Sequence, residues 1–146
     1  MLKKAFLLTL SIPLVCCSKY KNTIPNYPVH LEFNITANAP ELAAFNGFKE
    51  FFKPENATQV LGYGGILVFH TIEDKYCAFD MACPFEAKPD IRVHADNMGV
   101  AKCDSCLSTF YTGDATGFQL DGKAKSPLRK YQTYFNPTTN NILVTN

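Results

Sequence analysis

The chain has 146 residues, enough for one domain with a substantial core. Hydrophobic residues make up 47% and charged residues 18%, and the formal net charge is +1, so neither a basic nucleic-acid-binding surface nor an acidic solvating tail is indicated. Twelve Phe and seven Tyr with no Trp, together with nine Pro and eight Gly, lean toward a β-rich chain with many turns.

The N-terminal stretch MLKKAFLLTLSIPLVCCSKY reads as an export signal. Lys3 and Lys4 supply the positive end, and residues 5–15 form an apolar run too short for a convincing spanning helix. Leu14-Val15-Cys16-Cys17 resembles the bacterial lipobox, which implies cleavage before Cys17 and lipidation of its thiol, because Leu14 then sits three residues upstream. The expectation is a signal peptide over 1–17 and a polar, Pro-containing tether over 18–28. The domain would then occupy 29–146, at the cell envelope. It would be lipid-anchored to the inner or outer membrane and mostly periplasm-facing, with that membrane as a partner. An uncleaved anchor or plain secretion is the other reading. Processing leaves four thiols, Cys77, Cys83, Cys103 and Cys106. In an oxidising compartment free thiols need a reason.

VHLEFNI (29–35) alternates apolar and polar residues, the period of a half-buried strand. APELAAFNGFKEFF (39–52) is the one stretch with helical character, opened by Pro40 and closed by Gly47 as a short helix or turn. GGILVFHTI (64–72) predicts a buried strand, and EDK (73–75) turns it back into YCAFD (76–80) as a hairpin. IRVHAD and GVAKC flank a second hairpin turn at Asp96-Asn97-Met98-Gly99. STFY is a short strand, TGDATGFQLDG a Gly-rich stretch, and LRKYQTYF and NILVT close the chain around NPTTN. Short strands at regular spacing predict an all-β fold, a small antiparallel sandwich or barrel.

Chemistry-bearing motifs concentrate in two loops, Cys83-Pro84-Phe85 and Cys103-Asp104-Ser105-Cys106. The chain carries no Gly-x-Ser-x-Gly, His-Glu-x-x-His or phosphate loop, so it is not read as an enzyme. A thiol oxidoreductase would place Cys-x-x-Cys at a helix N-terminus within a βαβ pattern. Here the motif runs between β-like segments, with Asp104 beside the first thiol discouraging thiolate.

The region from about Gly64 to Val144 resembles the Rieske [2Fe–2S] domain. Cys83-Pro84-Phe85 stands in the family's Cys-x-His slot, seventeen residues (86–102) follow, and Cys103-x-x-Cys106 stands in the Cys-x-x-His slot. YCAFDMACP is similar to the strand entering the first ligand loop. Phe110 is similar to the residue that follows the second, and TGFQLDGKAKSPLRKY to the family's Gly-x-Ala turn and Pro-Leu stretch. Lipoprotein-borne members of this degenerate kind are similar to those of Bacteroidetes-type bacteria. The resemblance implies an antiparallel base with a rubredoxin-like cluster-binding lobe over about 77–112. It also implies an iron–sulfur cofactor of the electron-transfer type, with a redox or surface protein as partner.

Two cysteines and two histidines hold a Rieske cluster. Here Phe85 and Cys106 occupy the histidine positions. The resemblance makes Cys83 and Cys103 first-iron ligands and offers Cys106 for the second iron, and the fourth position falls to Cys77, Glu86, His94 or another chain. Cys77 shares a strand face with Phe79 and also reads as a small core hydrophobe. His94 reads as a solvated strand residue, and His30 and His70 as strand residues, while Glu86 reads equally as a surface carboxylate. Three close thiols have three fates. They bind a metal such as zinc, hold an altered cluster, or pair as a disulfide in a cluster-less structural or partner-binding lipoprotein. The resemblance favours Cys83–Cys103 for that bridge, and Cys103–Cys106 has the spacing of redox dithiols.

Overall fold

The computed structural model describes residues 22–146, so the expected signal peptide, the lipid-accepting Cys17 and the start of the tether lie outside the described residues. Eleven strands are present among the described residues: β1 Val29–Asn34, β2 Phe48–Phe51, β3 Val60–Leu61, β4 Ile66–His70, β5 Tyr76–Asp80, β6 Val93–Ala95, β7 Val100–Cys103, β8 Thr109–Tyr111, β9 Phe118–Asp121, β10 Lys130–Asn136 and β11 Asn141–Thr145. Seven form one antiparallel sheet in the order β2-β4-β5-β10-β11-β1-β3, which curls into a nearly closed barrel. The other four form a second sheet in the order β6-β7-β8-β9. The all-β expectation therefore holds, and the small sheet is an insertion between the neighbouring barrel strands β5 and β10.

The central strands follow their local patterns. In β1 the apolar Val29, Leu31 and Phe33 point inward and His30 and Glu32 outward, the two-residue period of a half-buried strand. β4 is buried at every position because both its faces are covered. Ile66 and Val68 face one core with Ala78 of β5. Leu67 and Phe69 face a second core with Cys77 and Phe79. The β4–β5 hairpin, in register from Ile66 opposite Asp80 to His70 opposite Tyr76, is the wall the two cores share.

The stretch 39–52 departs from its helical reading. Only Pro40–Ala43 winds, as a single 3-10 turn, beside a four-residue helix at Ile35–Asn38. Asn46 then takes a left-handed conformation at φ 61°, and Phe48–Phe51 extends to pair with β4. Gly47 is required there, because a side chain would strike the Glu41 carbonyl oxygen at 1.9 Å. Edge pairing and burial of Phe51 override the helical propensity of the flanking residues.

Residues 22–28, read as the end of the tether, pack on the domain. Ile24 is buried, and the Arg129 guanidinium donates to the Ile24 carbonyl at 3.0 Å and to the Asn26 side chain. No helix among the described residues is long and apolar enough to cross a membrane.

Candidate metal centre

The second core carries all four described cysteines. Along β5 and just past it, alternate residues Cys77, Phe79, Met81 and Cys83 turn to that core, so strand periodicity delivers Cys83 to the small sheet. The Cys83 amide donates to the Ile91 carbonyl at 2.9 Å, and Ala82 bridges Arg92. Cys103 ends β7 opposite Val93, and its amide donates to the Ser108 carbonyl at 2.9 Å. Two loops from different strands thus arrive at one point. The thiol sulfurs of Cys83, Cys103 and Cys106 all lie within 4.8 Å of one another, and Cys83 Sγ is 3.5 Å from Cys106 Sγ. All three are buried, and this group could hold a metal ion.

The loops close in the same way. The Ala87 amide donates to the Cys83 carbonyl at 2.8 Å, and the Leu107 amide to the Cys103 carbonyl at 2.9 Å. Ala87 and Leu107 both sit in the left-handed region, at φ 50° and 63°, uncommon for residues other than glycine.

The electrostatics of the thiols differ. Burial pushes the Cys83 thiol up to about 12, against the amides of Glu86 and Phe85 that donate to its sulfur. Burial also opposes ionisation of Cys106. The Ser108 hydroxyl, the Ser108 amide and the two neighbouring thiols together outweigh it and hold Cys106 below its ordinary value. Cys106 Sγ donates to Ser108 Oγ at 3.2 Å, and the same oxygen accepts from the Ala124 amide at 2.9 Å.

The remaining candidates lie apart. Cys77 Sγ is buried against two backbone carbonyls, Phe69 O at 3.7 Å and Thr112 O at 3.8 Å, and is not in the thiol group. His94 pairs with Glu50 at 3.1 Å, and His70 with Asp74 at 3.0 Å between the rings of Phe45 and Tyr76. His30 is exposed on β1 opposite Thr145. Phe85 is 49% exposed, with the Lys123 ammonium over its ring, and does not fill the space between the thiols. Glu86 is half-buried and accepts from Ser105 Oγ at 2.9 Å, so its carboxylate crosses to the other cysteine loop.

Sequence reasoning missed two residues that build this site. Asp80 is fully buried and accepts from the amides of Tyr63 (2.9 Å), Gly64 (3.0 Å) and Ala82 (2.7 Å) and from the Tyr131 hydroxyl. It fixes the backbone that leads into Cys83. An acid at the end of the apolar run YCAFDMACP was the available signal. Ser108 was the other, a hydroxyl two residues after Cys106 with nothing in its spacing to mark it.

A surface cleft of about 550 Å³ is lined by Tyr76 and by residues 130–134 of β10 and includes none of the thiol residues. No protein-family model matches this chain, and no curated protein matches it.

Proposed function

We propose that this chain is a metal-binding, Rieske-like domain displayed at the cell envelope, in which Cys83, Cys103 and Cys106 hold one thiophilic ion, zinc or iron. The observation that carries this reading is the convergence of three buried thiols within 4.8 Å. Metal–sulfur bonds of about 2.3 Å at tetrahedral angles set thiolates roughly 3.8 Å apart. The 3.5 Å between Cys83 and Cys106 sits close to that spacing. A [2Fe–2S] cluster instead divides its ligands between two sulfide-bridged irons. Three sulfurs drawn to one point, with Phe85 in a ligand slot, do not fit a Rieske cluster. The Rieske-like scaffold is supported by the insertion of the small sheet between β5 and β10 with both cysteine loops on it. The envelope location is supported by Lys3, Lys4, the apolar run and Cys17. A redox-inert zinc would keep the thiols from oxidation there, and iron would add a one-electron couple.

A second reading follows from the same 3.5 Å contact. Oxidation would join Cys83 to Cys106, across the loops, instead of the Cys83–Cys103 pair implied by resemblance. Metal, acid-labile sulfide and free-thiol analysis of the full chain, purified anaerobically, separates these readings. One zinc or iron per chain without sulfide is expected, and it is abolished by Cys83→Ser. Two irons with two sulfides would overturn the single-ion reading. No metal, with two thiols fewer than in the reduced protein, would establish the disulfide, whose loss costs about 2–5 kcal/mol in a small secreted domain.

A further inference from the structure

We infer that Glu86 supplies the fourth ligand of this centre, an inference that rests on the single-ion reading above. The two cysteine loops are copies of one turn. Each begins with a buried cysteine whose carbonyl accepts from the amide four residues on, at 2.8 Å in the first loop and 2.9 Å in the second. Each ends in a left-handed residue, Ala87 or Leu107. The fourth residue of each loop therefore stands in an equivalent place relative to its leading cysteine. In the second loop that residue is Cys106, a member of the thiol group. In the first loop it is Glu86.

The Glu86 carboxylate stands outside the group of three thiols, yet it already reaches the second loop. Ser105, the residue before Cys106, donates to Glu86 Oε1 at 2.9 Å, so the side chain spans from one loop to the other. The competing donors are engaged elsewhere. His70 and His94 pair with Asp74 and Glu50, and Cys77 lies against backbone carbonyls. Asp104 is exposed beside Cys103. Carboxylate oxygen is an ordinary zinc ligand, and three sulfurs with one oxygen complete four-coordination. The step is a side-chain rotation. The Ser105 hydroxyl releases Oε1 and keeps its proton, and an oxygen–metal bond forms. The amides of Phe85 and Glu86 on Cys83, and Ser108 on Cys106, temper the negative charge that this ligand set accumulates.

Cobalt(II) titration of the reduced full chain tests the assignment, because thiolate-to-cobalt charge-transfer bands report sulfur ligands and the visible d–d bands report the whole coordination sphere. Glu86→Gln should keep the charge-transfer bands, shift the d–d bands, and weaken affinity by more than the roughly 10–100-fold that loss of an outer partner costs. Glu86→Cys should strengthen the charge transfer at unchanged stoichiometry. Ser105→Ala separates ligation from bracing, since it should leave affinity within a fewfold of the parent. Unchanged spectra and affinity in Glu86→Gln, or a Ser105→Ala loss equal to that of Glu86→Gln, would overturn Glu86 as a ligand. A parent chain with no charge-transfer band overturns the single-ion reading itself, and Glu86 with it.

Discussion

The two hydrophobic cores share the β4–β5 wall but differ in kind. The first is hydrocarbon and aromatic throughout, with Leu31, Phe33, Ile66, Val68, Ile142 and Val144 at its centre. The second is equally buried yet holds Cys77, Cys83, Cys103 and Cys106. Within it the sulfurs divide again. Cys77 faces carbonyl oxygens, which offer a thiolate nothing. Cys83 and Cys106 face amides, a hydroxyl and other sulfurs. Burial alone therefore does not separate a small core residue from a ligand. The polarity of what touches the sulfur does, because donors stabilise the ionised thiol that a metal requires.

The largest test strikes the joint between the cores. Asp80→Ala leaves three buried or half-buried amides and the Tyr131 hydroxyl without this shared acceptor. It should cost about 3–5 kcal/mol in denaturant unfolding and also weaken metal binding, since the backbone into Cys83 loses its brace. Retained metal affinity would show that the loop stands without it. Leu31→Ala empties part of the first core alone, for about 2–5 kcal/mol, and the metal content of the folded protein should not change. Cys77→Ala removes one sulfur from the second core. A cost of about 1–2 kcal/mol at unchanged metal stoichiometry is expected, and loss of metal would return Cys77 to the ligand set.

Much of the fold was legible because antiparallel hairpins are local. β4 with β5, β6 with β7 and β10 with β11 each announce themselves by an apolar or alternating run, a turn and a return. The strands that escaped are β2, β3 and β9, and all three lie at sheet edges. An edge strand is paired on one side only and carries a weak burial pattern. Phe118–Asp121 is largely exposed, Val60–Leu61 has two residues, and Phe48–Phe51 hid behind helix-forming neighbours. At the site, spacing and resemblance drew attention to the cysteines, but the pairing they favoured was Cys83 with Cys103. The 3.5 Å contact between Cys83 and Cys106, the Asp80 hub and the Ser105–Glu86 bond join residues across loops, and no local pattern encodes them.

The smallest expected effect appears in alkali and sharpens the contrast between the two kinds of buried sulfur. Burial pushes Cys77 and Cys83 from 9.0 up to about 12. Tyr131 is raised as well, by burial first and then by Asp80. Each binds its proton more tightly folded than unfolded. Its contribution is full below the unfolded value and is lost as pH rises through the folded one. Cys106 runs the other way, its lowered thiol contributing stability above the unfolded value that is lost as pH falls. Tyr76 is raised too, by burial first, so with four groups against one the metal-free chain should lose unfolding free energy steadily between pH 9 and 12. A bound ion already holds Cys83 as thiolate, so the loaded protein no longer carries that share, and its decline over the same window should be shallower. Cys77→Ala should flatten both curves equally, because its proton is indifferent to the metal. Parallel decline of the loaded and metal-free proteins would mean that Cys83 keeps its proton when metal binds, and would place it with Cys77 as a core residue.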